Sequence, residues 1–126
     1  MATPSGRGLL AKVGFLLCRE GLLPEAEAVF RGLDATAPGK DGPAAGLALC
    51  RIIRGECDEA VSLLDGRLAA GSPLAASLSL YKLVALGMGG RLAETRELRA
   101  RMAAEGMGAS LETADALLAE LARIRS

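Results

Sequence analysis

Gly21-Leu22-Leu23-Pro24-Glu25-Ala26, Gly55-Glu56-Cys57-Asp58-Glu59-Ala60 and Gly90-Arg91-Leu92-Ala93-Glu94-Thr95 are three versions of one hexapeptide. Their glycines are 34 and then 35 residues apart. Each joins a glycine turn to an acidic residue and then a small one, a pattern that links two helices. A period of about 34 residues built this way predicts stacked helix-turn-helix units. One such unit cannot bury its own apolar face, so the units must cover one another. The expected fold class is all-α.

Working outward from the first turn and counting its unit from Arg7, Gly14 stands at position 8, where a small residue lets two helices approach. Ala26 takes position 20, Phe30 position 24 and Pro38 position 32, while Leu10, Val13 and Leu17 are packing positions of the first helix. The second unit, from Asp41, repeats the scheme with Ala48, Ala60, Leu64 and the closing Ser72-Pro73. Arg51 departs from it, as do Lys82 and Thr95 in the third unit. These are the marks of a tetratricopeptide repeat. The expectation is a right-handed superhelix of three helical pairs forming one domain over 1–126, with repeats at about 7–40, 41–74 and 75–109. The pairs are expected at 6–19 and 23–36, 43–54 and 57–70, 74–88 and 91–105. A C-terminal capping helix follows at about 110–125, opened by Ser110 with Glu112 in its first turn. Leu111, Ala114, Leu117, Leu118, Leu121 and Ile124 recur along it at helical spacing.

The chain is 126 residues long, 51% hydrophobic, and has three aromatic residues, Phe15, Phe30 and Tyr81, so its core must be aliphatic. Basic and acidic residues number 15 each and are spread evenly over the two halves. That argues against nucleic acid, whose affinity comes from neutralising phosphates. No apolar run suits a bilayer, and the N-terminus lacks the features of a secretory leader, so a cytoplasmic protein is expected. There is no histidine, hence no imidazole base, and no cofactor or metal site is expected from Cys18, Cys50 and Cys57 at their spacing. Cys18 and Cys50 read as small apolar residues on helix faces. Glu25, Glu27, Asp58 and Glu59 complement helix N-termini rather than forming an acid–base pair. Gly39-Lys40-Asp41-Gly42 lacks P-loop spacing. No enzymatic activity is expected.

The second helices carry dense charge (Glu25, Glu27, Arg31, Asp34), whereas the first helices are nearly uncharged. In a stack of this kind one side of each first helix faces a concave groove. The groove positions are Ala11, Phe15, Cys18 and Arg19 in the first unit and Ala45, Leu49, Ile52 and Ile53 in the second. In the third they are Leu80, Val84, Gly87 and Met88. An apolar strip of this kind marks a partner site, either for an amphipathic helix of another protein or for the chain's own last helix or a second copy. Leu9, Leu10, Val13, Leu17, Leu22 and Leu23 exceed what the second unit can cover, which predicts a further protein on the N-terminal pair.

Leu9-Leu10-Ala11-Lys12-Val13, Glu25-Ala26-Glu27-Ala28-Val29-Phe30, the run from Leu47 to Ala60, and Leu80-Tyr81-Lys82-Leu83 to Leu86-Gly87-Met88-Gly89 resemble one family. It is the small tetratricopeptide chaperones of bacterial type III secretion that hold the needle subunit, and the resemblance runs from about Leu9 to Leu121. It implies a groove that cradles the needle subunit's C-terminal amphipathic helix and keeps that subunit monomeric in the cytosol. It also implies a small helical co-chaperone on the N-terminal repeat. Sister chaperones for other export substrates share the fold, and a self-associating scaffold without cargo is the reading from a different class.

Overall fold

The computed structural model describes residues 12–36, 41–71 and 74–125. Among them the chain forms seven α-helices and no strand. They are α1 (described over 12–19), α2 (Leu23–Thr36), α3 (Asp41–Ile53), α4 (Cys57–Ala69), α5 (Ala75–Met88), α6 (Leu92–Ala104) and α7 (Gly108–Arg125). Leu9, Leu10, Ala11, Pro38, Gly39-Lys40 and Ser72-Pro73 lie outside the described residues.

The repeated glycine ends the first helix of each pair. Gly21, Gly55 and Gly90 have φ of 79°, 86° and 76°, a region where a side chain is strained and glycine is not. The residue after each glycine donates its N–H five residues back. Leu22 bonds the Leu17 carbonyl at 2.9 Å, Glu56 that of Arg51 at 2.8 Å, and Arg91 that of Leu86 at 3.0 Å. This closure satisfies carbonyls that a helix end leaves open. The next helix starts two residues past the glycine each time, at Leu23, Cys57 and Leu92.

A fourth copy of the turn joins α6 to α7. Gly106 has φ 78°, Met107 bonds the Met102 carbonyl at 2.9 Å, and α7 starts at Gly108. The expected opening at Ser110 is therefore corrected by two residues. The turn geometry sets the start, and Glu112 falls beyond the first turn.

Packing begins with Phe30, which is fully buried. A Cβ on Gly14 would lie 2.7 Å from its ring, and one on Gly46 would lie 2.2 Å from it. Two glycines, on α1 and α3, thus vacate the volume that a ring from α2 fills. Ala26, Ala60 and Leu64 are likewise fully buried, and Leu98, 34 residues past Leu64, is buried in α6.

The three departures from the repeat are each satisfied by a polar partner. Arg51 pairs with Glu56 at 3.1 Å, and Lys82 reaches Asp65 on α4 at 2.7 Å. The Thr95 hydroxyl donates to the Arg91 carbonyl at 2.8 Å. Arg91 itself bridges the second and third turns, bonding Asp58 at 3.1 Å and Glu94 at 2.6 Å.

Consecutive helices from α2 to α7 pack together, and α5 also touches α3 and α7. Enclosed by α3, α4, α6 and α7, α5 buries Leu78, Ser79, Leu80, Leu83, Val84, Ala85 and Leu86. A helix surrounded in this way must be apolar on nearly all sides, which accounts for its sequence.

Gly46→Ala should destabilise the fold by about 1–3 kcal/mol, since the added methyl overlaps a ring with nowhere to go. Gly66→Ala, on α4 with open space around it, should stabilise by roughly 0.5–1 kcal/mol. Urea unfolding of the two variants checks both signs.

Candidate functional site

An apolar cavity of about 370 Å³ opens between α1, α3, α5 and α7. Leu49 and Ile53 form the α3 wall, one helical turn apart, and Leu80 and Tyr81 form the α5 wall. Cys18 and Arg19 close the α1 side. The opposite wall is a stripe on α7 made of Thr113, Ala116, Leu117, Glu120 and Leu121. Steps of three, one, three and one residue put these five on a single helix face. The rim is polar: Arg19 is exposed on one side, and Glu120, paired with Arg123, stands on the other.

Of the expected groove residues, Cys18, Leu49, Ile53 and Leu80 line this cavity, together with Arg19. Phe15 stands behind it, stacked on Tyr81 with centroids 6.2 Å apart and planes 13° from parallel. Its other contact is an edge-on approach to Phe30 at 4.9 Å. Met88 is half-buried against the core, and Ala11 lies outside the described residues.

Ala45, Ile52 and Val84 differ from expectation. All three are buried, with Ile52 and Val84 at 0% exposure, and none lines the cavity. The reason is geometric. Ala45, Ala48 and Ile52 form one stripe of α3, a helix packed against α2, α4 and α5. Val84 lies on α5, which four helices enclose. The apolar strip is consequently narrower than the sequence suggests, and α7 covers part of it.

Of the residues expected to meet a partner on the N-terminal pair, Val13 and Leu22 are exposed and Leu17 and Leu23 half-buried. Leu9 and Leu10 lie outside the described residues. Leu16, on α1 at 54% exposure, was not singled out from the sequence. Val13, Leu16 and Leu17 occur at helical spacing, the signal that would have found it.

Beneath the cavity's α1 side lies a buried polar cluster. Cys18 Sγ and Cys50 Sγ are 3.3 Å apart in a thiol hydrogen bond between α1 and α3. Glu27 on α2 is buried, its Oε1 3.2 Å from Arg54 Nη1 in an ion pair that lacks hydrogen-bond geometry. Arg31 approaches the other oxygen at 3.6 Å. Cys50 is held below the ordinary thiol range by the hydrogen bond with Cys18, helped by Arg54 and Arg51 against burial and Glu27. Cys18 is pushed correspondingly up by that same bond and by burial. Burial also raises the Tyr81 phenol, with a contribution from Cys18.

Among the described residues no group of three or more His, Cys, Asp or Glu is placed to hold a metal, and no helix is long and apolar enough to cross a membrane. The arrangement offers an apolar recess with a charged rim. No protein-family model, curated protein or solved structure matches the chain.

Tyr81 is the one tyrosine of a chain without tryptophan, so its ionisation is visible alone in the ultraviolet. Its folded-state midpoint should lie above the ordinary phenol value of 10.0. The neutral phenol's preference for the folded state stabilises below pH ~10 and is lost as pH rises through the raised midpoint. A midpoint at or below that of the urea-unfolded chain would place Tyr81 in water.

Proposed function

We propose that this chain is a tetratricopeptide-type helical repeat protein that binds an amphipathic helix of another protein, acting as a chaperone rather than an enzyme. The supporting observation is the apolar recess walled by Leu49, Ile53, Leu80 and Tyr81 with Arg19 and Glu120 at its rim. Apolar side chains spaced i, i+3, i+4 and i+7 on a partner helix suit such a recess, and charges flanking that stripe would set its direction. By resemblance, the cargo is the C-terminal amphipathic helix of a type III secretion needle subunit, held in the cytoplasm. Binding the surface through which that subunit polymerises withdraws it from assembly by mass action. A chaperone for another export substrate would use the same recess. The exposed Val13, Leu16 and Leu22 would seat the small helical co-chaperone.

One observation favours a second reading. The α7 stripe already forms one wall of the recess, so the chain's own last helix is a competing occupant. In a scaffold without cargo the recess would stay closed, and self-association would run through the exposed N-terminal leucines.

The test is a binding titration with the C-terminal helix of a candidate needle subunit as a labelled peptide. Ile53→Asp puts a carboxylate on the recess wall and should weaken binding by at least tenfold, a few kcal/mol of uncompensated desolvation. Far-ultraviolet circular dichroism should remain unchanged. Leu22→Glu should leave the peptide affinity intact while abolishing association through the N-terminal pair, read by sedimentation. Equal peptide affinity for wild type and Ile53→Asp would move binding out of the recess.

A further inference from the structure

Cys18 and Cys50 are 32 residues apart in the chain, on different helices, yet their sulfurs meet at 3.3 Å. Both are buried, Cys18 at 1% and Cys50 at 0% exposure. All three cysteines of the chain are thiols. Two features separate this pair from inert core cysteines. Cys18 lines the open cavity, the route by which a molecule little larger than water would approach it. Behind it, Cys50 is held toward the thiolate by the hydrogen bond with Cys18, with the charges of Arg54 and Arg51 adding to it against burial and Glu27.

We propose that Cys18 and Cys50 form a peroxide-sensitive pair that closes into a disulfide and staples α1 to α3. The oxidant is hydrogen peroxide. In the first step the Cys18 thiol hands its proton across the hydrogen bond to the Cys50 thiolate and its sulfur attacks one peroxide oxygen; the O–O bond breaks, and the hydroxide released takes that proton back from Cys50 and leaves as water, giving a sulfenic acid on Cys18. In the second step the Cys50 thiolate attacks the Cys18 sulfur and expels hydroxide, which takes up a proton as water. Two thiols and one peroxide thus become one disulfide and two waters. The sulfurs must close from 3.3 Å to a bond length of about 2.05 Å, a shift small beside the freedom of two side chains. The inference needs the cavity open at Cys18 but does not depend on the proposed cargo.

The sequence makes the test clean, because trypsin places the three cysteines on separate peptides, residues 13–19, 41–51 and 55–67. The full-length protein is exposed to graded hydrogen peroxide, quenched in acid, alkylated under denaturing conditions and mapped by mass spectrometry. The expected product has lost two hydrogens, keeps Cys57 as a thiol, and links peptides 13–19 and 41–51. It reverts with dithiothreitol and melts roughly 10 °C higher than the reduced protein, as a cross-link closing a loop of this length should. Cys57→Ala should behave like wild type, and Cys50→Ala should form no link. The four methionines serve as the exposure standard. If they become sulfoxides while all three thiols persist, the proposal is wrong. A link through Cys57, irreversible oxidation of Cys18 alone, or a linked protein that melts no higher would equally overturn it.

Discussion

The Phe30 ring lies where β-carbons on Gly14 and Gly46 would otherwise lie, and the first three helices depend on that exchange of volume. Protein interiors are filled to crystal-like density, so neither side of it can change alone. Shrinking the ring would leave a void, and enlarging a glycine would drive a methyl into it. The same ring fixes more than helix spacing. Phe15 meets it edge-on and stacks in turn on Tyr81, so the aromatic wall of the cavity inherits its position from a contact several ångströms away.

A second constraint comes from α5, which packs against α3, α4, α6 and α7. Its sequence is apolar because four helices leave it little contact with water. Lys82, half-buried on it, is tolerated through the ion pair with Asp65, which lets the long stem lie along apolar neighbours while the ammonium stays near the surface. The cavity exists where this enclosure is incomplete, between α1 and α7. Its polar rim, Arg19 and Glu120, comes from α1 and α7.

The turns were the most legible part of the sequence. Glycine, a positive φ and a six-residue closure are local chemistry, repeated at a fixed interval, and α2 runs over the expected 23–36. The start of α7 was misplaced because Ser110 resembles a cap, whereas Gly106 repeats a turn already present three times. Ile52 and Val84 were misjudged for a different reason. Spacing along a helix tells which residues share a face, but what covers that face is decided by helices distant in sequence. The docking of α7 against α5 is such a fact, and so is the meeting of Cys18 with Cys50. The odd cysteine count and missing histidine pointed away from metal and disulfide frameworks, but could not place two thiols in contact across 32 residues.

The central place of α5 has a consequence for biosynthesis. A chain leaves the ribosome from its N-terminus, and α3, apolar on nearly every side, is complete at Ile53, whereas the helix that covers it ends at Met88. At roughly 5–20 residues per second, a nascent chain waits about 2–7 s between those points. During that interval the Leu49 and Ile52 side chains have no α5 to pack against. The newborn protein is thus most vulnerable to off-pathway association before its third pair emerges, and codons that slow translation between 54 and 88 would lengthen that exposure.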